Sequence, residues 1–276
     1  MEAASALAFP HLDDQSGFTE HTAAAAISVR DVSLSFKQGK AYRKVLSDIS
    51  LDIAEGEFVV VLGASGSGKT SLLRMLAGYE RPSTGSLVVL GDASPRPNQS
   101  VGVVFQHANL FPWLSVQRNT EFGLKMKKLA KLERERIAAA TLAGVGLGDY
   151  RSYMPHQLSG GMKQRAAIAR TLASEPKIIL MDEPFGALDA ITREHLQSLV
   201  KTLWKQNKQT IFFITHDVDE ALYLGSRIMV INGSPGTIGV DMANPIPGGT
   251  DSIAALRQHP EYASERLRLM QALDGY

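Results

Sequence analysis

Phe58-Val59-Val60-Val61-Leu62-Gly63-Ala64-Ser65-Gly66-Ser67-Gly68-Lys69-Thr70-Ser71-Leu72-Leu73 is the stretch on which the fold turns. Its first five residues are an unbroken apolar run, the pattern of a strand covered on both faces, as in a parallel sheet. Gly63 to Thr70 then fit G-x-x-x-x-G-K-[ST]. Glycines let backbone N–H groups turn towards one point without Cβ clashes, which is what a polyphosphate needs. Leucines at 72, 73 and 76 give Ser71 to Ala77 a helical face, so a helix N-terminus faces the same point. The spacing predicts a nucleotide site made of Gly63, Ala64, Ser65, Gly66, Ser67, Gly68, Lys69, Thr70 and Ser71. Lys69 is expected to bridge the β- and γ-phosphates, and the Thr70 hydroxyl to reach Mg²⁺.

Working outward, Ile27 to Phe36 alternates as a strand, Gly39 to Lys44 reads as a polar turn, and a second extended stretch runs from Val45 to Ile53. Further strands are expected at Ser86 to Leu90, Val101 to Phe105, Ile178 to Met181, Ile211 to Ile214 and Ile228 to Ile231. Helical patterns cover most of Leu114 to Gly148, then the segment ending at Ala173, Asp189 to Trp204, and Val218 to Leu224. Strands alternating with helices place the chain in the α/β class, interrupted by a mostly helical insert at about 107–160. Residues 1–26 read as a flexible leader, and residues 241–276 as a less regular tail with a short helix near Glu261 to Leu273. The core domain is expected to span 27–240, with no internal repeat.

The 276 residues carry 29 Lys and Arg against 28 Asp and Glu, a net charge of +1. Such a balance does not describe a nucleic-acid binder, and no nucleic-acid partner is expected. There is no cysteine, so disulfides, thiol catalysis, iron–sulfur clusters and Cys-ligated zinc are excluded. The longest wholly apolar stretch, Phe58 to Ala64, is far short of the roughly 18 to 20 residues of a membrane span. Glu2, Asp13, Asp14 and Glu20 stand where a secretory leader would be basic and then apolar, so no signal peptide is expected. The basic cluster from Lys125 to Arg136 reads as a solvated helical face.

Three later sites complete the chemistry. Ile178 to Met181 runs into Asp182 and Glu183: an acid at a buried strand end can hold magnesium, and the next can polarise an attacking water. His216 closes another apolar strand, where ligand crevices of open α/β sheets lie, and can meet a γ-phosphate or that water. Leu158-Ser159-Gly160-Gly161-Met162-Lys163-Gln164 opens a helix at two adjacent glycines, a second anion-binding helix end. Two such ends with one complete nucleotide motif suggest a head-to-tail dimer, each nucleotide held by the P-loop of one copy and this loop of the other.

Assembled in this order, the residues resemble the ATP-binding subunits of ABC importers over about residues 27–240. Gly63 to Thr70 is similar to Walker A, Ile178 to Asp182 to Walker B, and Leu158 to Gln164 matches LSGGxxQ in full. The resemblance implies a RecA-like P-loop ATPase core with an N-terminal antiparallel β subdomain and an inserted helical subdomain. It also implies roles: Glu183 as catalytic base, His216 as switch histidine, Gln106 as the Q-loop glutamine reading the metal and γ-phosphate, and Asp189 as the D-loop aspartate. Leu158, Ser159, Gly160, Gly161 and Gln164 would contact nucleotide, with Thr70, Gln106 and Asp182 at the metal. Phe36 matches the adenine-stacking aromatic, with Tyr42 as a competitor. ATP and Mg²⁺ are the implied cofactors. A second copy, two transmembrane permease subunits and, indirectly, a solute-binding protein are the implied partners, at the cytoplasmic face of the plasma membrane.

Pro112 to Val116, Pro184 to Asp189, Thr192-Arg193 and Asp217 to Ala221 resemble the nitrate, sulfonate and taurine group, and Leu203-Trp204 with Ser234-Pro235-Gly236 lean towards taurine or sulfonate members. Nitrate, bicarbonate and thiamine-precursor importers share much of this wording. Export, a soluble ABC-type ATPase and a nonhydrolytic nucleotide-binding regulator are the alternatives. Phe111 to Leu124 is the expected docking surface for a permease helix, internal packing of Phe111, Trp113 and Leu114 being the competing reading. Ser226 and Thr120 depart from the family pattern, where an acid and a valine are usual.

Overall fold

The computed structural model describes residues 25–186, 188–246 and 252–274. The expected leader lies outside the described residues except for Ala25 and Ala26, which open a strand. That strand, β1 (Ala25–Gln38), pairs antiparallel with β2 (Ala41–Ala54) and β4 (Thr84–Val89) in a three-stranded sheet. The expected turn at Gly39 to Lys44 contracts to Gly39-Lys40, because Lys37 pairs with Tyr42 and Phe36 with Arg43, carrying the ladder to the end of the hairpin. Gly39 takes φ 65°, the left-handed conformation that a tight turn demands.

β3 (Phe58–Leu62) is buried at every position, as its composition requires. It lies inside a six-stranded sheet of order β5 (Val101–Val104), β6 (Ile178–Asp182), β7 (Thr210–Ile214), β3, β8 (Arg227–Asn232) and β9 (Thr237–Ala243). All pairings are parallel except β8 with β9. Parallel strands carry their carboxyl ends to one edge, and the residues after Val104, Asp182, Ile214 and Leu62 therefore gather there.

One apolar core lies between this sheet and the helices α2 (Val116–Met126), α3 (Lys131–Gly144), α4 (Gly160–Ala173), α5 (Ala190–Asn207) and α6 (Val218–Leu224). A second lies between the two sheets and is closed by α1 (Lys69–Leu76). The helical insert is α2, α3 and two short 3₁₀ turns, with α4 packed on α2 and α3.

The end of the chain is more ordered than its sequence suggests. β9 runs on past Val240, where the sequence pattern has the less regular tail begin: Ile238, Val240 and Met242 are only half-buried at the sheet edge, a weak apolar signal. Beyond it, α7 (Ile253–Arg257) and α8 (Tyr262–Asp274) set Leu256 and Leu269 wholly inside the main core. Ile253, Tyr262, Ala272 and Leu273 pack against the same core half-buried, whereas the sequence pattern predicts only one short helix near Glu261 to Leu273.

Candidate nucleotide site

Gly63 to Gly68 link β3 to α1. Gly66 and Gly68 take φ 83° and 92°, and a Cβ on Gly63 would stand 2.4 Å from the Ile231 carbonyl oxygen, so glycine is structurally required at each. The Ser67 hydroxyl is buried with no hydrogen-bond partner. A buried hydroxyl without a partner is costly, and an incoming phosphate oxygen would relieve that cost. Lys69 Nζ donates to the Gly63 and Ala64 carbonyls at 2.7 and 2.8 Å, closing the loop on itself. Burial lowers the Lys69 pKa, with Glu183 and Asp182 acting in the opposite sense. An anion bound here would satisfy the ammonium better than two neutral carbonyls do.

The Thr70 hydroxyl donates to Asp182 Oδ1 at 3.2 Å. Burial pushes the Asp182 carboxyl up, and neighbouring Glu183 adds to the rise. This all-oxygen pair suits a hard divalent cation. Among the described residues, no group of three His, Asp or Glu could hold a metal, so most of its ligands would be phosphate and water.

Glu183 turns sharply out of β6 with φ 43°, its N–H held by the Ile214 carbonyl at 3.0 Å. One oxygen of its side chain gathers two expected partners. Glu183 Oε2 lies 3.3 Å from His216 Nδ1 and accepts from Gln106 Nε2 at 3.4 Å. These three groups come from three adjacent strands, β5, β6 and β7, whose register aligns Val104 with Met181 and Asp182 with Ile214. A carboxylate flanked this way can take a proton from water and pass hydrogen bonds to either side.

Ser159 caps α4, accepting from the Met162 N–H at 3.3 Å, and with Gly160 it is exposed at the helix end. No hydrogen bond among the described residues joins Ser159, Gly160 or Gly161 to the P-loop. Gln164 is buried and donates to the Phe105 carbonyl at 3.0 Å, and Leu158 is buried in the core, so in this chain both are occupied in packing. Asp189 caps α5 by accepting from the Thr192 N–H at 3.0 Å, a bond that lowers its pKa. Phe36 follows buried Leu34 by two residues and so shares its strand face, whereas the β1–β2 register puts Tyr42 on the opposite face. Leu46, paired with Leu34, approaches Gly68 of the P-loop, so Phe36 is the aromatic on the P-loop side.

Sequence reasoning missed two supports. Gly236 accepts from the Ser47 N–H at 2.9 Å, donates to the Val45 carbonyl at 2.9 Å, and lies directly behind Ser67. Nothing local in Ser234-Pro235-Gly236 reports that approach across the fold. Glu220 and Thr215 form a buried pair behind His216, and only the flanking of His216 by polar residues hinted at it.

The ABC transporter family model matches residues 46–186. The chain is 43% identical over 251 residues to the taurine import ATP-binding protein TauB of Pseudomonas aeruginosa, covering 90% of this chain and 94% of that one. It is 41% identical over 240 residues to the nitrate import ATP-binding protein NrtD of Synechocystis sp., covering 86% and 90%. Among solved structures, the dimeric bacterial ABC transporter cassette MJ0796 superposes with a TM-score of 0.73 at 33% identity, over 79% of this chain and 98% of that one. Its post-hydrolysis dimer with ADP and phosphate bound gives the same TM-score, 0.73, at 32% identity. With its fold, its P-loop and its carboxylate–histidine pair in that arrangement, the chain belongs to the ABC transporter family, as an ATP-binding, ATP-hydrolysing subunit.

Proposed function

We propose that this subunit powers import of a small anionic solute, taurine or another sulfonate, through two permease subunits at the cytoplasmic face of the membrane. The observation that carries the hydrolytic part is the meeting of Gln106, Glu183 and His216 on one carboxylate oxygen beside the P-loop. ATP would draw Lys69 from the Gly63 and Ala64 carbonyls to its β- and γ-phosphates. Thr70 and Asp182, with Gln106 nearby, would hold Mg²⁺, which supplies charge neutralisation at the phosphates. Glu183 accepts a proton as the water oxygen bonds to the γ-phosphorus. The bond from that phosphorus to the β–γ bridging oxygen breaks, leaving ADP and phosphate. Lys69 and His216 stabilise the charge that builds on the γ-phosphoryl oxygens.

Ser159 and Gly161 of a second copy would complete each site, in keeping with the exposure of Ser159 and Gly160 at the start of α4, which among the described residues makes no hydrogen bond to the P-loop of its own chain. A crevice of about 1000 Å³ beside α2 is lined by Trp113, Phe122 and Arg118, with Trp113 69% exposed. That exposure favours the docking reading for Trp113, while Phe111 packs between Trp113 and Phe122 at centroid distances of 5.7 and 4.6 Å. No helix of the described residues is long and apolar enough to cross a membrane.

Glu183→Gln is expected to keep ATP affinity, reduce turnover about 100-fold or more, and accumulate an ATP-bound dimer on size-exclusion chromatography. Rapid turnover by this variant would remove Glu183 from the role of base. For the cargo, uptake of labelled taurine and of nitrate is compared in cells with and without the gene. Loss of nitrate uptake alone would assign the anion to the second reading, which the likeness to NrtD supports.

A further inference from the structure

His216 lies between two residues that share one hydrogen-bonding group. The Thr215 hydroxyl accepts from the Asp217 N–H at 3.0 Å and donates to Glu220 Oε2 at 2.6 Å. A single oxygen thus spans the peptides on both sides of the histidine. Thr215 is 2% exposed and Glu220 6%, so water does not compete for these bonds. The other carboxylate oxygen, Oε1, accepts from Gln197 Nε2 at 2.9 Å, and Gln197 is 1% exposed on α5. Gln197 makes that bond although its own side-chain oxygen is then left buried and unpaired. Both neighbours present donors in this arrangement, and the two carboxylate oxygens accept one from each. The cap of α5 is Asp189, so this carboxylate ties the His216 segment to the helix that begins at the Asp189 loop.

We propose that Glu220 is a positioning residue for ATP hydrolysis, holding the Thr215–Asp217 segment, and with it His216, against α5. Burial raises the Glu220 pKa, Asp217 adding to the rise while Arg193 opposes it. A side chain kept at that cost for packing alone would be better replaced by an uncharged one. The inference rests on the reading of His216 as a hydrolytic residue, and the two are separable by a double-mutant cycle.

The full chain is assayed at concentrations that support dimerisation, with kcat and KM for MgATP measured for E220A, H216A and E220A/H216A. E220A is expected to lower kcat about tenfold with KM within about twofold, and to add nothing in the H216A background. The conservative variant E220Q is expected to rescue, because Gln197 can turn its amide and accept through its free oxygen. Q197E, which sets two carboxylates together, is expected to be slow, and Q197E/E220Q to recover by exchanging acceptor and donor. If E220A folds poorly, T215V removes only the hydroxyl and carries the same cycle.

A wild-type kcat for E220A beside a slow H216A overturns the inference and leaves the His216 reading standing. Losses that multiply in the double variant, or a KM raised along with the fall in kcat, also overturn it, since Glu220 would then act by another route. A wild-type kcat for H216A instead removes the reading on which the inference rests.

Discussion

A Cβ on Gly236 would stand 2.0 Å from the Ser67 carbonyl oxygen, backbone against backbone. Neither side can yield by turning a side chain, so Gly236→Ala must shift one backbone or the other, and a shift on the Ser67 side moves the P-loop. We expect MgATP affinity to fall about tenfold, equivalent to about 1.4 kcal/mol, by titration calorimetry, with the melting transition still cooperative. Unchanged affinity would mean that the loop shifts without consequence. Glu220 carries a second expectation at this scale. A carboxyl whose folded pKa is raised binds its proton more readily when folded, so its contribution to stability falls as pH rises through the unfolded value towards the folded one. Glutamine has no such dependence. Glu220→Gln should therefore be the more stable protein at neutral pH, with the difference narrowing as pH falls through the raised folded pKa towards the unfolded value of about 4.3. Urea unfolding at several pH values reads this directly, and a difference independent of pH would contradict it.

At the scale of elements, α4 does two jobs along one face. Ser159 and Gly160 open it, and further along Gln164, Arg170 and Thr171 bond the Phe105, Asn109 and Val103 carbonyls at 3.0, 2.8 and 3.2 Å. These bonds tie the LSGGMKQ helix to the chain on both sides of Gln106. The two sheets are joined by Arg227 of β8, which meets both Asp241 oxygens on β9 at 2.6 Å and the Asp52 carbonyl on β2 at 2.8 Å. These bonds raise the Arg227 pKa far beyond any physiological titration. Arg227→Met is expected to cost about 2 kcal/mol, the worth of a charge-assisted hydrogen bond set, read from the urea midpoint. β3, α1 and α6 were legible in the sequence because each follows one clear rule: an apolar run, a leucine face after a glycine loop, an aspartate cap. β9 and α7 were not, since one is held by an edge pairing and the other is a five-residue helix held by Leu256 and Ile253 against the distant main core.

For the whole molecule, a head-to-tail dimer makes a test that a self-contained site would fail. Lys69→Ala disables the P-loop of one copy and Ser159→Arg the capping loop of the other. Mixing the two inactive variants should produce one composite site with both halves intact. Nucleotide-dependent dimerisation and a fraction of the ATPase rate are expected to return, measured by size exclusion and phosphate release. Absence of any recovery across a range of mixing ratios would place the complete site within a single chain.

The sequence by itself determined the class of chemistry. Its motifs are short, and each is a local solution to a local demand: glycines where amides must converge, a hydroxyl and an acid for a hard cation, acids and a histidine at strand ends. Gly63 to Thr70, Asp182, Glu183, Leu158 to Gln164 and His216 were readable for that reason. Which of these meet was decided by tertiary structure. Parallel register across β5, β6 and β7 brings Gln106, Glu183 and His216 to one oxygen. The face of the β1–β2 hairpin separates Phe36 from Tyr42. Gly236 behind Ser67, and Gln197 against the Glu220 carboxylate, are contacts between segments whose own sequences carry no sign of the partner. Proximity of that kind arises only when distant stretches are packed together.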